Sequence, residues 1–181
     1  MLELRKGPPA STVLDALKAL EEKWKRPVLI ALTGGIAEDS LQCLLVDGHL
    51  PTFITAYLKT AQYNHAFYCL SQNSTVTKTM LAGKGLAGFV SIIEDAPLAM
   101  LNEWFKDVKL GLVILDSNVD PADALAEYKA VENRIEEGGI VIIDDVDPDS
   151  KVTKKGSLIV PYLHETKRGY QFDNGMLKVF F

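Results

Sequence analysis

Two apolar runs that end in carboxylates anchor the hydrophobic pattern. Leu110-Gly111-Leu112-Val113-Ile114-Leu115 stops at Asp116, and Gly139-Ile140-Val141-Ile142-Ile143 stops at Asp144-Asp145. Unbroken Val/Ile/Leu runs mark strands buried on both faces, which belong to parallel sheets covered by helices. Between them, after Pro121-Ala122-Asp123, Leu125, Tyr128, Val131 and Ile135 recur every three or four residues. That spacing predicts a connecting helix, with Glu136-Glu137-Gly138-Gly139 as its stop and glycine at the C-cap.

The same logic extends along the chain. Strands are expected over residues 28–32, 66–70 and 89–93, the last ending at Glu94-Asp95. Val13, Leu14, Leu17, Leu20 and Trp24 predict a helix from Ser11-Thr12 to about residue 25, with Thr12 and Asp15 as its capping box. That helix is expected to pack on the sheet, Trp24 included, or else to cover the site. Further helices are expected over residues 36–63 in two pieces broken at Gly48 and Pro51, over 75–81 before the Gly83-Lys84-Gly85 turn, over 97–105, and over 158–163. Tyr170-Gln171-Phe172, Asp173-Asn174-Gly175 and the run from Met176 to Phe181 form a hairpin signal around an Asn-Gly turn. The sum is an α/β chain with a mostly parallel seven-stranded sheet, helices on both faces and a C-terminal antiparallel hairpin.

Composition narrows the possibilities. At 181 residues, 48% hydrophobic and 24% charged, one domain spanning residues 1–181 is expected. No run approaches the roughly 18 apolar residues that cross a bilayer, so a soluble, cytoplasmic protein with no membrane partner is expected. A net charge of −5 argues against a nucleic-acid partner. Lys151, Lys154, Lys155, Lys167 and Arg168 gather near the C-terminus and read as a solvated surface. Cys43 and Cys69 fit neither a disulfide framework nor a zinc spacing and read as buried free thiols. His49 and His164 read as turn and surface residues.

In parallel sheets ligands bind beyond the carboxyl ends of the strands. Asp116, Asp144 and Asp145 all fall at such ends, where an aspartate also serves as a cap for the next helix or turn. The block "LGLVILDSNVDPADALAEYKAVENRIEEGGIVIIDDV" resembles the fourth strand, helix and fifth strand of class I S-adenosylmethionine-dependent methyltransferases, in their small-molecule O-methyltransferase branch. "FVSIIEDAPLAML" is similar to that family's third strand and adenine-contacting turn.

The resemblance implies a Rossmann-like sheet and a cofactor, S-adenosylmethionine, held by Thr33, Gly34 and Gly35 after the first strand. It implies Ser71 and Gln72 for the ribose, Glu94 and Asp95 for the adenine, and Asp116 beside them. It also implies one divalent cation such as Mg2+ on Asp116, Asp144 and Asp145, with Asp116 and Asp144 as catalytic residues. The implied activity is methyl transfer to a small-molecule oxygen, less readily a nitrogen. The first motif departs from the family's, reading Ala31-Leu32-Thr33-Gly34-Gly35, and Ser117-Asn118-Val119 stands where the family carries His or Lys. A second reading follows from those departures: a methyltransferase-like structural or interaction domain without activity, possible as a homodimer.

Overall fold

The computed structural model describes residues 10–33, 61–70, 74–83, 85–103, 105–116, 120–146, 155–173 and 175–181. Its strands are β1 (Leu29–Thr33), β2 (Ala66–Leu70), β3 (Ser91–Ile93), β4 (Leu110–Leu115), β5 (Ile135–Ile143), β6 (Tyr170–Asp173) and β7 (Met176–Phe180). They form one sheet in the order β3-β2-β1-β4-β5-β7-β6. The first five are parallel, and β7 returns antiparallel between β5 and β6. The mostly parallel sheet and its closing hairpin are thus as the apolar pattern predicts, and the Rossmann-like order is the one the resemblance implies.

Side-chain alternation divides the core in two. Ile30, Leu32, Leu112, Ile114, Ile140 and Ile142 face α1 (Ala10–Trp24) and Leu81 of α2 (Ser74–Gly83). Ala31, Val113, Leu115, Val141 and Ile143 face the other side, against α3 (Pro97–Glu103), α4 (Pro121–Glu132) and α5 (Gly156–Glu165). Burial on both faces is why these strands carry no polar alternation.

Trp24 packs against the first of these clusters, over Gly111, at the end of β4 remote from Asp116. A Cβ on Gly111 would come within 2.6 Å of the Trp24 ring and 2.4 Å of Val28. The same end of the sheet is tied by a buried polar clip. Val28 N–H donates to His65 Nδ1 at 2.8 Å, so Nε2 bears the ring proton facing Glu21 Oε1 at 2.7 Å. Glu21 Oε1 also accepts from Gln62 N–H at 2.9 Å.

Several boundaries differ from the sequence pattern. Thr12 lies inside α1 and is buried, its hydroxyl 3.4 Å from Asp173 Oδ2, so it is not the cap. Residues 87–89 form a 3-10 turn, and Phe89 is exposed, so β3 starts only at Ser91. Helix α4 ends at Glu132 with Asn133 as C-cap, and Ile135 through Gly139 belong to β5 rather than to a helix and its stop. The reason is tertiary: Gly138 N–H donates to the Phe181 carbonyl at 2.6 Å and Phe181 N–H to the Gly139 carbonyl at 3.2 Å. Residues 34–60, including most of the helical segment expected over 36–63, lie outside the described residues, as do Cys43 and His49; residues 61–63 are not helical.

Candidate active site

The strand order reverses direction between β1 and β4, which makes that junction the switch point where open α/β sheets hold ligands. Asp116 follows β4 there, and its backbone N–H lies 3.3 Å from both the carbonyl and the hydroxyl oxygen of Thr33. The Thr33 hydroxyl is 3.4 Å from Glu127 Oε2, to which it donates. On the other side of β4, Asp144 N–H donates to the Leu115 carbonyl at 3.1 Å. Asp145 adopts φ 56°, in the left-handed region that Asp tolerates better than most residues. That turn breaks strand alternation, so two consecutive carboxylates reach one place.

The result is a cluster in which one oxygen each from Asp116, Asp144 and Asp145 lie within 4.8 Å of one another. Asp144 is 3% exposed, and its Oδ2 has no hydrogen-bond partner among the described residues. Burial, reinforced by the Asp145 charge, pushes the Asp144 carboxyl up to about 6. Burial, then the Asp144 charge, drives Asp116 well above the ordinary carboxylate value. Cys69 beneath them is a free, buried thiol pushed up to about 12 by desolvation and then by Asp116, which leaves it unreactive.

A cation stands among these acids. Lys155, expected on a solvated surface, is 1% exposed, and its Nζ donates to the Leu115 carbonyl at 3.3 Å. Burial lowers its pKa, and the charges of Asp116, Asp144, Asp145 and Glu127 oppose that shift. The basic-surface expectation is therefore wrong for this residue: packing of the α5 N-terminus onto Val146, just beyond β5, carries it inward.

Residues 47–146 match the family model described as a methyltransferase domain, more than half of the chain. The chain belongs to that family. No curated protein sequence matches it. Among solved structures it is similar to CalS11, a TDP-rhamnose 3'-O-methyltransferase of calicheamicin biosynthesis, with TM-score 0.64 at 13% identity, over 94% of this chain and 79% of that one. It is also similar to an O-methyltransferase from Bacillus cereus in complex with SAH, with TM-score 0.63 at 11% identity, over 98% and 84%. The MycE methyltransferase of mycinamycin biosynthesis, in complex with Mg, SAH and mycinamycin VI, gives TM-score 0.55 at 14% identity, over 90% of this chain and 47% of that one. At these identities the likeness is one of fold, and the fold is that of the class I methyltransferases.

Within this methyltransferase frame the expected residues separate into groups. Asp116, Asp144 and Asp145 converge. Thr33 is adjacent and fully buried, its side chain engaged with Glu127 and the Asp116 backbone. Glu94 and Asp95 are exposed at the end of β3, three strand positions from β4, or roughly 14 Å at ordinary strand spacing. There Asp95 Oδ1 accepts from Ala96 N–H at 2.7 Å, and Glu94 lies 3.9 Å from Lys78. Gly34, Gly35, Ser71 and Gln72 lie outside the described residues, as do Lys151 and Lys154. His164 is exposed and bonded to the Tyr170 hydroxyl at 2.7 Å, in keeping with a surface role. The sequence reading missed Glu127 and Lys155. Glu127 was detectable, because it shares the inward face of α4 with Ala124, Tyr128 and Val131; a carboxylate on an apolar stripe needs a partner.

Proposed function

We infer that the protein transfers a methyl group from S-adenosylmethionine to a hydroxyl oxygen of a small molecule, with a divalent cation at the carboxylate cluster. The observation that carries this reading is the convergence of Asp116, Asp144 and Asp145 at the switch point of a methyltransferase-family sheet. The cofactor would lie across the ends of β1, β2 and β3, with Thr33, Gly34 and Gly35 at its methionine part. Ser71 and Gln72 would face its ribose, and Glu94 and Asp95 its adenine. That leaves the acceptor above β4 and β5, beside Asp116 and Asp144. SAH in the B. cereus structure, and Mg, SAH and mycinamycin VI in the MycE structure, support a cofactor, a cation and a small-molecule acceptor as the ligands of this fold.

The donor set fits a hard dication: one oxygen from each of three carboxylates within 4.8 Å, and a buried Asp144 Oδ2 without a hydrogen-bond partner among the described residues. A bound dication lowers the pKa of a coordinated hydroxyl and orients it. The chain's own contribution is position. Asp116 is pinned through Thr33 and Asp144 through Leu115, so the acidic groups that hold the acceptor are fixed to the two strands flanking the crevice.

The reading treats residues 1–181 as one domain and places the protein in the cytoplasm, where S-adenosylmethionine is made. Among the described residues no helix is long and apolar enough to cross a membrane. Calorimetric titration with S-adenosylmethionine and SAH, with and without MgCl2, is expected to show binding of both. No heat at millimolar ligand would sink the enzyme reading and leave an interaction domain.

A further inference from the structure

Lysines are almost never fully buried unless paired, and Lys155 is buried at a carbonyl that links the two acidic strand ends. The Leu115 carbonyl accepts both Asp144 N–H at 3.1 Å and Lys155 Nζ at 3.3 Å. It also immediately precedes Asp116. Two features of sequence bring the ammonium there. Gly156 lets the start of α5 press onto Val146, since a Cβ on it would sit 2.5 Å from Val146 Cγ1. Val146 in turn lies two residues after Asp144.

We propose that Lys155 is a tethered cation of the carboxylate cluster, which holds Asp116, Asp144 and Asp145 together in the cation-free protein and weakens their affinity for a divalent ion. With all three carboxylates ionised, as ligation of a metal requires, they and one ammonium carry a formal charge of −2, the complement of one dication. The ammonium does not complete the cluster, because Asp144 Oδ2 still has no hydrogen-bond partner among the described residues. The site therefore accepts a dication, against the repulsion of a fixed positive charge. This inference rests on the metal part of the proposed function.

The test uses the full chain as wild type, Lys155→Met and Lys155→Arg, freed of metal with EDTA. Thermal unfolding is followed as MgCl2, and separately MnCl2, is added. Lys155→Met is expected to melt lower than wild type without cation, and to be stabilised by cation concentrations at least about tenfold below those wild type requires, since a repulsive charge is gone. Lys155→Arg, which keeps the charge, is expected to follow wild type. Equal cation requirements in Lys155→Met and wild type overturn the tethered cation while leaving the metal reading standing. No response of any of the three proteins at tens of millimolar cation overturns both. If Lys155→Met does not fold in EDTA, recovery of a cooperative transition on adding MgCl2 supports the proposal. The double variant Lys155→Met/Asp145→Asn, with one charge removed from each side, is then expected to fold without cation; its failure to do so marks a packing loss and overturns the proposal.

Discussion

A carboxylate buried as deeply as Asp144, with one oxygen lacking a hydrogen-bond partner among the described residues, costs stability whenever it is ionised and no metal ion is bound. Its folded pKa of about 6 stands above the ordinary carboxylate value, so the folded state binds the proton more tightly than the unfolded chain does. The penalty is absent below the unfolded pKa of about 4, grows as pH rises, and is complete above about 6, where it is on the order of 3 kcal/mol. In EDTA, Asp144→Asn is accordingly expected to raise the melting temperature at pH 8 by several degrees and to lose that advantage at pH 4. The same variant is expected to show a smaller MgCl2-dependent rise than wild type. A melting curve of Asp144→Asn below wild type at pH 8 contradicts this account. The three aspartates were legible in the sequence because each ends an apolar run. Lys155 was not, since a lysine in a basic, polar stretch gives no sign that helix packing will carry it under a strand end.

At the scale of elements, the glycine in β4 shows how a helix is fitted to a strand. Gly111 leaves room for Trp24 and Val28, and an added methyl would overlap both. Gly111→Ala is therefore expected to cost about 1–3 kcal/mol, as overpacking of a tight core does, with no change in S-adenosylmethionine affinity because the contact lies at the end of β4 remote from Asp116. Denaturant unfolding with a midpoint equal to wild type would show that Trp24 yields freely. Among the described elements, types came through from periodicity, yet edges did not. The residues from Ile135 to Gly139 read as helix end and stop, but join β5 because the backbone of Phe181 pairs with Gly138 and Gly139. Gly138 still needs its glycine, at φ 80°, for a bend inside the strand rather than for a helix cap. Thr12 likewise lost its capping role to a contact with Asp173, which lies 161 residues away in sequence.

Across the whole molecule, the C-terminal hairpin completes both layers of the core. Strand β7 pairs with β5 on one side and β6 on the other. Met176 enters the cluster under α1, while Leu177 and Val179 enter the opposite one. Deleting residues 170–181 would bare an edge strand and two apolar faces together, so the truncated chain is expected to be insoluble or to unfold without a cooperative transition; a cooperative melt by circular dichroism would refute this. Among the described residues, the sequence by itself determined the strand and helix order, the parallel sheet with its terminal hairpin, and the three strand-end carboxylates. These depend on local periodicity and on which faces are buried, and both are written in residue order. Only the tertiary structure decided that Asp116, Asp144 and Asp145 meet within 4.8 Å, that Thr33 and Glu127 brace them, and that Lys155 lies buried at their base. Those facts depend on strand order, on a left-handed turn at Asp145 and on the close approach of Gly156 to Val146, relations that no local pattern along the chain encodes.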